Sequence, residues 1–226
     1  MNSKSIFYIT LILSVIVQFC TGLFEIFSLF LKVPSQFAII KQLIIMEVFV
    51  QVIEISFYFW LILNFNNVID VTPKRYIDWS ITTPTMLVTL ILYLIYLNNR
   101  EKGDTSKLEL FDLIFKNSSN ISNVLLLNLL MIIFGYLGEK KIIPTITGVI
   151  LGFIPFLIYY LIIYINYVRT DLGFNLFLYF FIFWSLYGFV ALFPYYLKNA
   201  CYNILDLFSK NFFGVFLSYI IITGNY

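Results

Sequence analysis

Seven stretches of this chain, roughly 6–31, 37–63, 74–97, 120–138, 142–167, 172–196 and 198–223, are almost continuously apolar. Each is near or above the ~20 residues of helix that cross a bilayer. Hydrocarbon offers the backbone no water, so such a run must satisfy its own N–H and C=O groups, and a helix does this within the segment. The expected fold is all-α: a seven-transmembrane-helix bundle, a single domain over residues 1–226 and an integral, multi-pass membrane protein with lipid as its first partner. With 61% hydrophobic and 12% charged residues and a mean hydropathy of +0.93, the chain has too little polar surface for a water-soluble domain.

The breaks between runs carry turn chemistry. Pro34 and Pro73 punctuate two of them, and Glu139–Lys141 and Arg169–Asp171 read as tight turns. The third break, 98–119, holds much of the charge. Within it Ser106–Lys116 has apolar residues spaced for a short amphipathic helix on the membrane surface, with an unstructured loop as the alternative. The first run follows Lys4 and outlasts the ~7–15 residues of a signal-peptide core. It lacks a small-residue cleavage site and reads as a retained span. Lysine and arginine are split almost evenly between the two sides, and their slight bias favours an extracellular N-terminus with 98–119 cytoplasmic.

Several function classes are excluded early. There is no histidine, so an imidazole switch and a zinc site of the usual kind are not expected and no metal is assigned; the net charge of +2 argues neither for nor against nucleic acid, and with no basic cluster present no nucleic-acid partner is expected. Cys20 and Cys201 both fall inside apolar runs and read as small buried hydrophobes.

The polar residues inside the runs are concentrated rather than scattered. The first run has Ser14, Gln18 and Glu25; the second has Glu47, Gln51, Glu54 and Tyr58; the third has Asp78, Thr82, Thr85 and Thr89; the seventh has Asn203, Asp206, Lys210 and Asn211. In the second and third runs spacings of four, three and four place each set on one helical face, and the sets of the first and seventh runs are read the same way. Lipid cannot solvate such faces, so they are expected to meet in the interior, although a lone Ser or Gln also bonds its own backbone or a neighbouring helix. Lys210 is the most demanding of them. A lysine at the bilayer centre costs roughly 2.5–3.5 kcal/mol on insertion scales, so it has to be paired or covalently used. Asp206 lies one turn before it. A buried amine beside a carboxylate is suited to forming a Schiff base with an aldehyde and stabilising the resulting cation.

Arg75-Tyr-Ile-Asp78-Trp79-Ser-Ile-Thr82-Thr83-Pro84 in the third run, Trp184-Ser-Leu-Tyr187 in the sixth and Leu205-Asp206-Leu-Phe-Ser-Lys210 in the seventh together resemble a microbial (type 1) rhodopsin. The resemblance spans all seven runs. It implies all-trans retinal as cofactor, joined to Lys210, with Asp78 as primary and Asp206 as second counterion. It also implies that Arg75 gates the extracellular side, Thr82 bonds the counterion and Tyr58 bonds Asp206. Trp79, Thr83, Met131, Gly135, Trp184 and Tyr187 would wall the retinal pocket. Light-driven function of this kind involves no enzymatic turnover.

Where the chain departs from the family's pumps, it is similar to channelrhodopsins and to the first group of viral rhodopsins, whose members conduct cations in light and are sensitive to calcium. The position of a pump's internal proton donor is Thr89, whose hydroxyl cannot serve as a reservoir near neutral pH. Gly188 stands where pumps have proline, and no carboxylate lies between Asp171 and Asp206. Ser14, Glu54 and Asn211 match a channel's central gate, and Glu47 resembles an inner-gate glutamate. The expected function is a light-gated channel for cations, meaning protons and monovalent metal ions. The alternatives are a proton pump with slow reprotonation and a photosensor signalling through a partner.

Overall fold

The computed structural model describes residues 2–104 and 106–226. The helices are α1 (Ser3–Leu29), α2 (Ala38–Asn64), α3 (Thr72–Glu101), α4 (Leu110–Lys116), α5 (Ser118–Glu139), α6 (Thr145–Tyr167), α7 (Asp171–Val190), α8 (Tyr195–Ser209) and α9 (Asn211–Thr223). A 3-10 turn, Ser35–Phe37, leads into α2. Counting α8 and α9 as one rod, seven long helices form a closed ring in which α1 packs on α2 and on α8–α9, α2 on α3, α3 on α5, and α5, α6, α7 and α8 follow in succession. The short α4 lies in the 98–119 segment, with Phe111 and Phe115 exposed and Leu113 buried.

Six of these rods are long and apolar enough to cross a membrane by length and composition alone. The rod left out, α2, is 27 residues long but carries Lys41, Glu47 and Glu54. The two glutamates are buried, so α2 turns its charge into the ring. Outward faces are apolar: Ile9, Ile16, Phe19 and Phe27 of α1 and Ile146, Ile150, Leu157 and Leu161 of α6 are all exposed. Exposed apolar stripes of this size are explained by a hydrocarbon surround.

The boundary between the last two rods differs from the sequence expectation. The sixth run was expected to reach residue 196 and the seventh to begin at 198, yet α7 ends at Val190 and α8 starts at Tyr195, after Pro194 as its N-cap. Proline restricts the residue before it and lacks an N–H, so it sits naturally at the start of a helix. Hydropathy does not detect this turn because Ala191, Leu192 and Phe193 are themselves apolar. The seventh rod is also not continuous. α8 stops at Ser209 and α9 starts at Asn211, with Lys210 at φ −99° between them.

Lipid tails are as apolar as leucine, so close packing rather than water exclusion holds helices together in a membrane. α5 and α6 meet through glycine: a Cβ on Gly148 would lie 2.7 Å from the Cα of Gly138 and 2.8 Å from the carbonyl oxygen of Phe134. Backbone cannot yield as a side chain can. Gly148→Ala should therefore cost about 1–3 kcal/mol, a typical overpacking penalty. A lowered melting temperature in detergent would register it, and an unchanged one would show that the α5–α6 contact is looser than described.

Candidate functional site

α3 begins at Thr72 with Pro73 in its first turn, where a missing N–H is tolerated. From there the helical repeat carries Arg75, Asp78 and Thr82 down one buried face. α8 faces it with Asn203 and Asp206, and the interruption after Ser209 presents Lys210. The Lys210 amide still donates to the Asp206 carbonyl at 2.9 Å.

Lys210 Nζ donates to Asp78 Oδ2 at 2.5 Å, with Glu54 Oε1 at 3.8 Å and Asp206 Oδ1 at 3.9 Å. Asp206 is held from several sides: Tyr58 donates at 2.5 Å, Tyr187 at 2.6 Å and Arg75 at 3.1 Å. Arg75 also donates to Asn203 Oδ1 at 2.8 Å and stacks over Phe57 and Tyr202. Two cations thus share three carboxyl groups, and all of these side chains are buried. Charges are tolerable at this depth only when each has a partner.

The amine opens into a cavity. Trp79, Thr83, Met131, Gly135, Trp184 and Tyr187, expected as pocket residues, all line it together with Lys210, and so do Tyr76, Phe153, Gly188 and Tyr202. Two walls depend on glycine. A Cβ on Gly135 would meet the Tyr76 hydroxyl at 2.8 Å, and one on Gly188 would meet the Phe153 ring at 2.6 Å. An amine on the wall of an aromatic-lined cavity, with two glycines keeping it open, fits an apolar chromophore with one reactive end.

Other expected partners are rearranged. Thr82 was expected to bond the counterion, but it donates to the backbone carbonyl of Asp78 at 3.0 Å. Threonine inside a helix readily bonds one turn back, which leaves the Asp78 carboxylate to Lys210. Ser14, Glu54 and Asn211 are all buried yet are not hydrogen-bonded to one another. Ser14 donates to the Asn203 carbonyl at 3.1 Å, Glu54 sits beside Lys210, and Asn211 Oδ1 accepts from Thr21 at 2.6 Å and Gln51 at 2.9 Å. Seven residues at 1.5 Å rise put Glu47 about 10 Å along α2 from Glu54, and both its oxygens are buried without a hydrogen-bond partner.

Two contacts of the site carry little signal in the sequence. Asn128, a polar residue in an apolar span, donates to Thr83 at 2.8 Å on the cavity wall. Glu139 falls in a stretch that reads as a tight turn, but one oxygen accepts from Tyr76 at 2.9 Å and Tyr202 at 2.7 Å while the other meets Lys198 at 2.6 Å. An acid in the last turn of a helix opposes the dipole there, which was the available signal that Glu139 is retained for other contacts. Near it, outside the spans, Lys140 pairs with Asp70 at 2.6 Å. Partial burial works against the Asp70 charge, but Lys140 and the Thr72 amide outweigh it and hold the carboxyl below its usual range.

These features define a seven-helix membrane protein with a buried amine–carboxylate centre beside an aromatic cavity. The chain belongs to the family described as bacteriorhodopsin-like protein, which it matches over residues 6–224. That family binds retinal, and its members are light-driven ion transporters or sensors rather than enzymes. Viral rhodopsin OLPVRII is similar in structure, with 24% identity, a TM-score of 0.81 and coverage of 98% of this chain and 99% of that one. Blue light-absorbing proteorhodopsin from Med12 has 19% identity, a TM-score of 0.72 and 96% coverage of both chains. Xanthorhodopsin, a light-driven ion pump with dual chromophore, has 18% identity, a TM-score of 0.72 and coverage of 98% and 94%. No curated protein matches the sequence.

Removing one partner of a buried pair strands the other, at a cost of about 3–5 kcal/mol. Glu139→Gln should therefore lower the melting temperature, and adding Lys198→Met should recover part of the loss. A single variant as stable as wild type would show that Lys198 reaches water instead.

Proposed function

We propose that the chain is a retinal-binding, light-gated cation channel in which Lys210 carries the chromophore. The observation that supports it most is the line of buried polar groups running past Lys210 between α1, α2, α3 and α8–α9. It includes Asn203, Ser14, Glu54, Asn211, Gln51, Glu25 and Glu47. Its carboxyl groups favour cations over anions. Retinal, when bound, supplies light absorption and an isomerisation that changes the direction of the proton-bearing nitrogen. Asp78, already in contact with Lys210 Nζ, is placed to take that proton. Asp206 is fixed by Tyr58, Tyr187 and Arg75 and keeps a compensating charge in place. Loss of the Lys210–Asp78 ion pair frees Glu54, which no hydrogen bond holds, and lets water enter beside it.

A proton pump is the second reading. It is favoured by the complete set of Arg75, Asp78, Asp206 and Lys210 and opposed by Thr89, which donates to the Thr85 carbonyl at 3.0 Å and carries no transferable charge.

Voltage clamp under illumination separates the two. A channel's current reverses with the cation gradient, whereas a current of one direction that persists without a gradient would establish the pump. Lys210→Ala should abolish visible absorbance after retinal addition, and persistence of the colour would overturn the attachment site. Glu54→Gln should shift the reversal potential or raise the dark leak. If both stay unchanged, Glu54 is a packing group and lies outside the conducting route.

A further inference from the structure

Tyr76 from α3 and Tyr202 from α8 wall the cavity beside Lys210. Their hydroxyls donate to one and the same oxygen of Glu139, at 2.9 and 2.7 Å. The other oxygen of Glu139 meets Lys198 Nζ at 2.6 Å, and the Lys198 and Glu139 side chains are only 9% and 2% exposed. The rings are linked as the hydroxyls are. Trp79 touches both, with its centroid 4.9 Å from Tyr76 and 5.0 Å from Tyr202, and Tyr202 stacks on Tyr187 at 5.6 Å. One carboxylate thus stands behind four of the rings that line the cavity, although Glu139 itself lies outside the lining.

α5 is shaped for this contact. Gly135 and Glu139 are four residues apart and share a helical face. The missing side chain at 135 admits the Tyr76 hydroxyl, because a Cβ there would lie 2.8 Å from it, and the carboxylate at 139 receives its proton donor. Neither charge of the ion pair suits its own helix. Glu139 is the last residue of α5 and Lys198 lies in the first turn of α8, and helix dipoles disfavour an acid at the C-terminus and a base at the N-terminus. A pair that only joined α5 to α8 would need one oxygen. The second is given to two tyrosines of the cavity wall.

We infer that Glu139 is a positioning residue of the chromophore cavity: by holding the Tyr76 and Tyr202 hydroxyls it fixes the wall of Tyr76, Trp79, Tyr202 and Tyr187, and so sets the uptake and the colour of retinal without touching it. This deepens the proposed function and rests on its placing of retinal on Lys210 in this cavity. The electronics of a bound cofactor respond to the dipoles and shape of the groups around it. A phenol released from its acceptor leaves an unpaired donor beside the cavity, and its ring is free to shift.

The test uses the full chain in lipid vesicles with all-trans retinal added. Glu139→Leu with Lys198→Met removes the acceptor and strands no charge. It should shift the absorption maximum and slow retinal uptake about tenfold, the order set by the net worth of one or two hydrogen bonds. Glu139→Gln with Lys198→Met returns a neutral acceptor to the same place and should restore both. On a background of Tyr76→Phe with Tyr202→Phe, which has no hydroxyls to hold, the Leu and Met substitutions should cause no further shift. Wild-type colour and uptake in the Leu–Met variant would overturn the inference. So would a shift that persists on the Phe background, because the charge pair and not the hydroxyls would then be its cause. Without retinal, infrared spectra of isotope-labelled tyrosine in the otherwise wild-type chain should contain a band from hydroxyls bonded to carboxylate that Tyr76→Phe and Tyr202→Phe each diminish. Absence of that dependence would overturn the anchor with no substitution at 139. A wild-type chain that takes up no retinal would overturn the proposed function and the tuning role with it, while the tyrosine band would still report the anchor.

Discussion

The ion pair between Lys210 and Asp78 is the contact on which the rest of the interior depends. An ammonium at this depth is costly unless neutralised, and the neutralising carboxylate is itself costly unless the pair is well held. Each partner therefore recruits another. Asp206 stands 3.9 Å from the amine and is fixed by Tyr58 from α2 and Tyr187 from α7. Arg75 balances Asp206 and is anchored in turn by Asn203. One buried amine thereby orients four rods. The interruption of the seventh rod at Lys210 belongs to the same arrangement, because it exposes the residue that must meet α3.

The bundle divides into two chemistries around that centre. α1, α2, α3 and α8–α9 pack through amides, hydroxyls and carboxyls, whereas α5, α6 and α7 pack through aromatic rings and glycines. Aromatic contacts such as Phe156–Phe181 and Phe180–Trp184 make the second half a dense wall for the cavity. Few backbones approach closely without glycine, so the Gly138–Gly148 contact performs on that side what hydrogen bonds perform on the other. A polar half that can hydrate against an apolar half that cannot is a natural division between an ion route and a chromophore pocket.

Much of this was legible in the sequence because a lipid surround simplifies the reading. Helix length follows from bilayer thickness, and any interior charge demands a partner, so the rods and the Lys210–Asp206–Asp78 set stand out. Partner choice among neutral polar groups does not. Thr82 can bond either a carboxylate or its own helix, and only packing at Asp78 decides. Asn211 can reach Glu54 or Thr21 and Gln51, a choice set by the rotation of α9 after the interruption. Glu139 was hidden because its position at a helix end suggests solvent, and its burial depends on Lys198 arriving from α8, far along the chain. Helical periodicity identifies a face, but the depth and rotation of the facing helix lie outside it.

Cation preference and closure in the dark have a common physical origin in the proposed route. Arg75 and Lys210 are committed to aspartates, so the groups without a cation of their own are carboxyls: Glu25, Glu47 and, at 3.8 Å from a shared amine, Glu54. A carboxyl in a dry interior is stable as a neutral acid and in water as an anion. The same side chains then present a neutral, dry plug while the helices stay closed and a line of negative charge once water enters. Hydration would open the route and set its selectivity in one event. Anions would be refused because, among the described residues, the cations along the path, Arg75 and Lys210, are already neutralised by Asp206 and Asp78.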